Sequence, residues 1–197
     1  MLNVLYVNTT GHFSGAAVSL TQTIRELRGS VRAVVVTPKG SASSYLSDHV
    51  KELFVVPWLS HFDHTRHGRY RGVRWLVFVR ELLLWPITLL YIRKISHKLD
   101  KPDLIHVNEI TGIFVGISFK RRLKVPLVVH VRAHMGSRHT GWRSKVLWSL
   151  CRKHVDRLVC IDENVRATLG PGVDATVIHN ALVLDTNGAA GGGPFGV

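Results

Sequence analysis

Seven short runs rich in Val, Ile and Leu punctuate the chain, and none alternates apolar with polar residues. They are Asn3–Val7, Val31–Thr37, Glu52–Val56, Leu104–Val107, Leu127–Val131, Arg157–Ile161 and Ala175–Ile178. A strand that is apolar on both sides must be covered on both sides, which is the condition of a parallel sheet between helices. Between the runs lie helical patterns at Ala16–Arg28, Ser43–Val50, roughly Tyr70–Lys98, Gly112–Arg121, Trp142–His154 and Glu163–Leu169. Strand–helix alternation with short connections predicts a doubly wound α/β fold, a mostly parallel sheet of about seven strands. Pro102 and Pro126 each stand just before a strand, where a helix has already ended.

A length of 197 residues suits one domain with a sizeable core. The expected organisation is a domain over 1–185 followed by a disordered, Gly/Ala-rich tail over 186–197. The formal net charge of +13 favours anionic partners, whether phosphorylated ligands or acidic headgroups. RNP-type aromatic strands, zinc fingers and basic helices with a dimerisation heptad are all missing, so nucleic acid is not the expected partner. Cys151 and Cys160 sit in apolar surroundings and read as reduced core thiols of a cytosolic protein. His61, His64 and His67 recur every three residues without acidic support and read as a polar loop, so no metal is expected. The first apolar run follows no positive charge and is interrupted by Asn3 and Asn8, unlike a signal peptide.

The segment 66–98 carries Arg66, Arg69, Arg71, Arg74, Arg80, Arg93, Lys94 and Lys98 against a single acid, Glu81. Its apolar run, Trp75–Ile92, holds Arg80 and Glu81 and is broken at Pro86, which disfavours a spanning helix. Two readings stay open. In one, an amphipathic helix packs its apolar side on the sheet. In the other, Arg69, Arg71, Arg74, Trp75 and Trp85 rest on an anionic membrane surface.

Ligands of open parallel sheets gather at the carboxyl ends of the strands. After the first strand comes the small-residue turn Ser14-Gly15-Ala16-Ala17, which offers backbone N–H groups and a helix N-terminus to phosphate. A tight turn that needs small residues for packing reads the same way, and the G-x-G-x-x-G fingerprint is absent. Later strands are followed by Asn108 and Glu109, by Arg132 and His134 with Arg138 beyond, and by Asp162 and Glu163. Arg132 and Arg138 suit phosphate or carboxylate, and His130 or His134 can exchange protons near neutral pH. Asp162-Glu163 reads first as a helix cap and first-turn acid.

This ordered set resembles the N-terminal domain of a family 4 glycosyltransferase, a group built from two facing Rossmann-like domains. The matching segments are Leu2–Leu27 with Ser14-Gly15-Ala16-Ala17, Lys101–Asn108, Val125–Arg132, Val155–Asp162 with Arg166 and Leu169, and Val177-Ile-His-Asn180. The resemblance implies transfer of a sugar from a nucleotide-sugar, a co-substrate rather than a resident cofactor, to a glycan or lipid-linked acceptor. It gives Gly15 and Ala16 to the donor phosphates, while Asn108, Glu109, His134 and Arg138 are assigned to substrate from their place after the strands. It places Arg132 where the family often has a catalytic His, with His130 two residues earlier. It also implies a donor-binding C-terminal domain beyond residue 185, where this chain has low-complexity sequence, so the chain alone is expected to be inactive. Location is expected to be cytoplasmic, at the inner membrane surface. The rival expectation is a non-catalytic α/β module that docks on an anionic membrane or an acidic partner.

Overall fold

In the computed structural model, residues 1–62, 72–135 and 142–179 are described. Seven strands form one sheet: β1 (Leu2–Val7), β2 (Val31–Pro38), β3 (Glu52–Val56), β4 (Leu104–Val107), β5 (Leu127–Val131), β6 (Arg157–Cys160) and β7 (Thr176–Val177). Their order is β3-β2-β1-β4-β5-β6-β7, and every pairing is parallel. The helices are α1 (Gly15–Glu26), α2 (Ser41–Ser47), α3 (Trp75–Lys98), α4 (Ile113–Leu123), α5 (Trp142–His154) and α6 (Glu163–Arg166).

Period-two alternation along the strands divides the core into two layers. Leu5, Val34, Val36, Ile105, Val107, Leu127, Val129 and Leu158 pack with Ile92 and Ile95 of α3, Phe119 of α4 and Trp148 of α5. Val4, Tyr6 and Val35 point the other way, onto Leu20 and Ile24 of α1 and Leu46 of α2. Right-handed crossovers produce this division. The chain moves outward from β1 to β3 on one side and from β4 to β7 on the other, so α1 and α2 land on one face of the sheet and α3, α4 and α5 on the other. The reversal between β1 and β4 is the switch point of the sheet.

Each end of an element has a local cause. Helix α4 closes at Lys124, the one non-glycine residue with positive φ (56°) among the described residues. Helix α6 opens at Asp162, whose carboxylate accepts the Val165 N–H at 2.6 Å, as the sequence suggested. Helix α3 begins at Trp75 rather than near Tyr70, preceded by the single 3-10 turn Gly72–Arg74. Pro86 lies within α3 without ending it, and its ring is solvent-exposed.

Candidate active site

The carboxyl ends of β1 and β4 meet through two asparagines. Asn8 and Asn108 are each the first residue beyond their strand and are almost fully buried. A buried amide needs partners for both its donors and its acceptor. The Asn8 side-chain amide donates to the Thr10 carbonyl at 2.9 Å and to Thr37 Oγ1 at 3.1 Å. The Asn108 amide donates to Asn8 Oδ1 at 3.3 Å and to the Ala16 carbonyl at 3.1 Å. The first turn of α1 is thereby tied to the end of β4.

Arg132, the residue after β5, extends this network. Its Nε donates to the Asn108 carbonyl at 3.0 Å and to Asn108 Oδ1 at 3.2 Å, and its Nη1 donates to Ser19 Oγ of α1 at 3.0 Å. Burial lowers the proton affinity of the guanidinium and the Glu109 carboxylate raises it. Glu109 accepts a hydrogen bond from Thr10 Oγ1 at 2.5 Å, and Thr9 and Thr111 share a hydroxyl bond at 3.1 Å. Residues from β1, α1, β4 and β5, some of them about a hundred positions apart, thus converge on one rim.

The opening of α1 faces space. A Cβ built on Gly15 meets nothing within 4 Å, so packing does not require glycine there. Ala17, by contrast, is fully buried. No acid occurs in the first turn of α1, and its N-cap Ser14 makes no side-chain cap. The open approach and the helix dipole both suit an anion.

Beneath the rim, between α1 and the sheet, lies an open groove of about 490 Å³ whose lining includes Tyr6, Ser19, His106, Val128, His130 and Arg132. His130 is 8% exposed and its Nε2 has no hydrogen-bond partner. Its ring lies 5.8 Å from that of His106. Burial, then Arg132, then His106 lower the His130 pKa to about 3. Burial and Arg132 lower that of His106 to about 4. Both rings are therefore neutral across the physiological range.

The structure brings Gly15, Ala16, Asn108, Glu109 and Arg132 to this rim, with His130 one pleat below. His134 is exposed three residues past β5. Arg138, Arg69, Arg71, His64 and His67 lie outside the described residues, as does the side chain of Arg74. Trp75 is 44% exposed. Trp85 turns inward, its ring 5.9 Å from Phe62 and 6.2 Å from Phe114. Sequence reasoning did not single out Asn8 or Ser19. A polar residue directly after each of two apolar strands was the available signal for the asparagine pair.

Among the described residues, no group of three or more His, Cys, Asp or Glu side chains is placed to hold a metal. Burial pushes the Cys151 thiol up to about 12 and the Cys160 thiol up to about 11, so neither is a nucleophile near neutral pH.

A parallel sheet with helices on both faces and a central switch point defines an α/β domain of the Rossmann-like kind. The Glycosyltransferase Family 4 model matches residues 13–186, and the chain belongs to that family. In fold it is similar to Anabaena HepE in complex with UDP and glucose, at a TM-score of 0.64 and 18% identity, covering 92% of this chain and 45% of that one. It is also similar to CalG4, the calicheamicin glycosyltransferase, at 0.54 and 17%, covering 98% and 56%. Similarity extends to MurG of Acinetobacter baumannii at 0.52 and 10%, covering 91% and 45%. The chain thus spans about half the length of these structures. No curated protein sequence matches it.

Proposed function

We propose that this domain forms the acceptor-side wall of a cleft in which a sugar passes from a nucleotide-sugar to a glycan or lipid-linked acceptor. The observation that carries the reading is the network joining Ala16, Asn108 and Arg132 at the switch point, beside the open approach to Gly15. UDP and glucose in the HepE structure support a nucleotide-sugar as the donor.

In this reading the acceptor hydroxyl attacks the anomeric carbon on the face the nucleoside diphosphate leaves from, and the diphosphate departs with the bonding electrons while its phosphate oxygen takes up the hydroxyl proton. Charge on the departing phosphate is met by the Gly15 and Ala16 amides and the dipole of α1. Transfer proceeds with retention and without a bound metal. Arg132 fixes the rim and supplies positive potential to it. His130, with its low proton affinity, is a poor general base near neutral pH, since an effective one has a pKa close to the working pH. We assign it to the groove floor as a neutral hydrogen-bonding group. Glu109 and His134 are left to face the acceptor, Arg138 is assigned to it from the sequence alone, and Asn108, fully buried, holds the rim that carries them. The work is done on the cytoplasmic side.

The opposing wall, which holds most of the nucleotide, belongs to a second domain in this reading, and residues 1–197 assayed by themselves are expected to show no transfer. The test is an assay across a panel of nucleotide-sugars, with the chain alone and joined to a family 4 donor domain. Transfer by the joined protein only is expected. Robust turnover by the chain alone overturns the half-cleft reading.

A further inference from the structure

Helix α3 is built inside out. Its 24 residues contain one acid, Glu81, which is 1% exposed, and Thr88, seven residues on, is fully buried. On the opposite side Leu76, Leu83 and Leu90 recur at the same interval and are 67%, 72% and 66% exposed. Val79 and Ile87 complete that outward stripe, and Leu82 and Leu89 flank it, all exposed. Apolar side chains at i, i+3, i+7, i+11 and i+14 normally mark the face that packs on a core. Here that face looks away from the core.

The inward polar groups lock the helix in this rotation. Glu81 accepts the His61 N–H at 2.9 Å and pairs with Arg80 at 2.6 Å. The Glu81 carbonyl accepts Ser60 Oγ at 3.1 Å. Thr88 Oγ1 accepts the Ser60 N–H at 2.9 Å and donates to the Trp58 carbonyl at 3.0 Å. Turning the leucines inward would strand these groups. Ile92, Ile95 and Trp85 also hold the inner side against the domain. The helix is long and apolar enough to cross a bilayer, but crossing would strip all of this away. Contact along its length is what the geometry permits.

We infer that the outward face of α3 is a docking surface for an anionic lipid bilayer, with the helix lying in the plane of the headgroups. From Leu76 to Leu90 the stripe is about 21 Å long at 1.5 Å per residue. It then gives way to exposed Arg93, Lys94, His97 and Lys98. A bilayer with acidic headgroups supplies an apolar layer and negative charge together. A second copy of this chain, at +13, would bring like charge against like. Trp75, at the start of the helix, suits the headgroup level. Because α3 returns from the carboxyl end of β3 to the start of β4, its first half lies toward the end of the sheet that carries the candidate active site. A lipid-linked acceptor would thus meet the rim at the membrane, a corollary that rests on the proposed function, whereas the docking surface itself does not.

The test is flotation of the chain with phosphatidylcholine vesicles, with and without phosphatidylglycerol. Wild type is expected to float with the acidic vesicles, at least about tenfold more than with the neutral ones. Leu83→Glu/Leu90→Glu is expected to lower the floated fraction about tenfold while leaving the circular-dichroism melt unchanged. Arg93→Glu/Lys94→Glu is expected to lower only the preference for acidic vesicles. Failure of wild type to float overturns the inference. So does equal flotation of the Leu83→Glu/Leu90→Glu variant, or a wild-type dimer in light scattering that these two changes dissociate without any vesicle binding. Since none of these readouts uses transfer, an inactive but floating protein would count against the proposed function alone.

Discussion

Gly15 and Gly116 both stand in helices, yet a side chain would meet different surroundings at each. At Gly116 in α4, a Cβ would come within 2.5 Å of Val107 Cγ2 and 3.0 Å of Leu127 Cδ1, both on fully buried strand residues. Overpacking of this kind costs about 1–3 kcal/mol, against a helix-propensity gain of about 1 kcal/mol. Gly116→Ala is therefore expected to lower Tm. Gly15→Leu should leave Tm unchanged or raise it, because its Cβ enters open space. The same change in a protein joined to a donor domain should cost about tenfold or more in kcat/KM, or about 1.4 kcal/mol. A fall in Tm with activity intact would return Gly15 to a packing role.

The histidine pair gives a signed pH dependence. An unfolded histidine takes up its proton near the ordinary value of 6.5, whereas His106 waits until about 4 and His130 until about 3. Between those values the unfolded chain binds more protons. Stability contributed by the neutral rings is complete above pH 6.5 and is lost as pH falls toward the folded values. The slope is at most about 1.4 kcal/mol per pH unit per histidine. His130→Phe is expected to flatten the urea-unfolding stability profile between pH 6.5 and 4. An unchanged slope would mean that the ring is already protonated in the folded state.

At the scale of elements, the expected bounds of β3, β4, β5 and α5 coincide with those observed. β5 is mostly buried and shows itself as a plain apolar run, and β3 reads as plainly although it is an edge strand with Val55 exposed. Ends set by local turns were less legible. β7 shrinks to Thr176–Val177, and α6 stops at Arg166, where Thr168 and Leu169 continue only as tight turns. The outward face of α3 was hidden because the helix is apolar nearly all round, so no composition argument could say which leucines face solvent. Its rotation is set by Glu81 and Thr88 bonding to residues 58–61, a relation across 20 to 30 positions of sequence. Arg69, Arg71, Arg74, Trp75 and Trp85 carried the sequence argument for a membrane surface. In the structure the leucine stripe carries it, and Trp85 belongs to the interior.

Asp162 illustrates an element-scale role that mimics a catalytic one. It stands at the carboxyl end of a strand, yet its carboxylate caps α6. Asp162→Ala should cost about 1 kcal/mol in stability and leave transfer by the joined protein unchanged. A loss of turnover without a loss of stability would move Asp162 into the cleft.

At the scale of the molecule, topology does the gathering. With β1 and β4 adjacent at the centre, loops about a hundred residues apart in sequence become neighbours, and Asn8, Asn108 and Arg132 lock them together. The rim itself was legible, since each of its loops follows an apolar strand. Asn8 and Ser19 were not, because their roles depend on side chains reaching between elements that sequence distance separates. Parallel pairing throughout puts every strand's carboxyl end on the same side. The amino-terminal end carries tethers such as Asp103 to the Asn3 N–H and Lys120 to Asp156.

The central claim is that the switch-point rim is one wall of a sugar-transfer cleft, and a backbone NMR titration of the chain with UDP-sugars tests it most directly. Weak, fast-exchange shifts concentrated at Gly15–Ala16, Asn108–Glu109 and Arg132 are the predicted result. Shifts concentrated instead around Lys101–Asp103 and Pro126, at the other end of the sheet and with the rim silent, would contradict it.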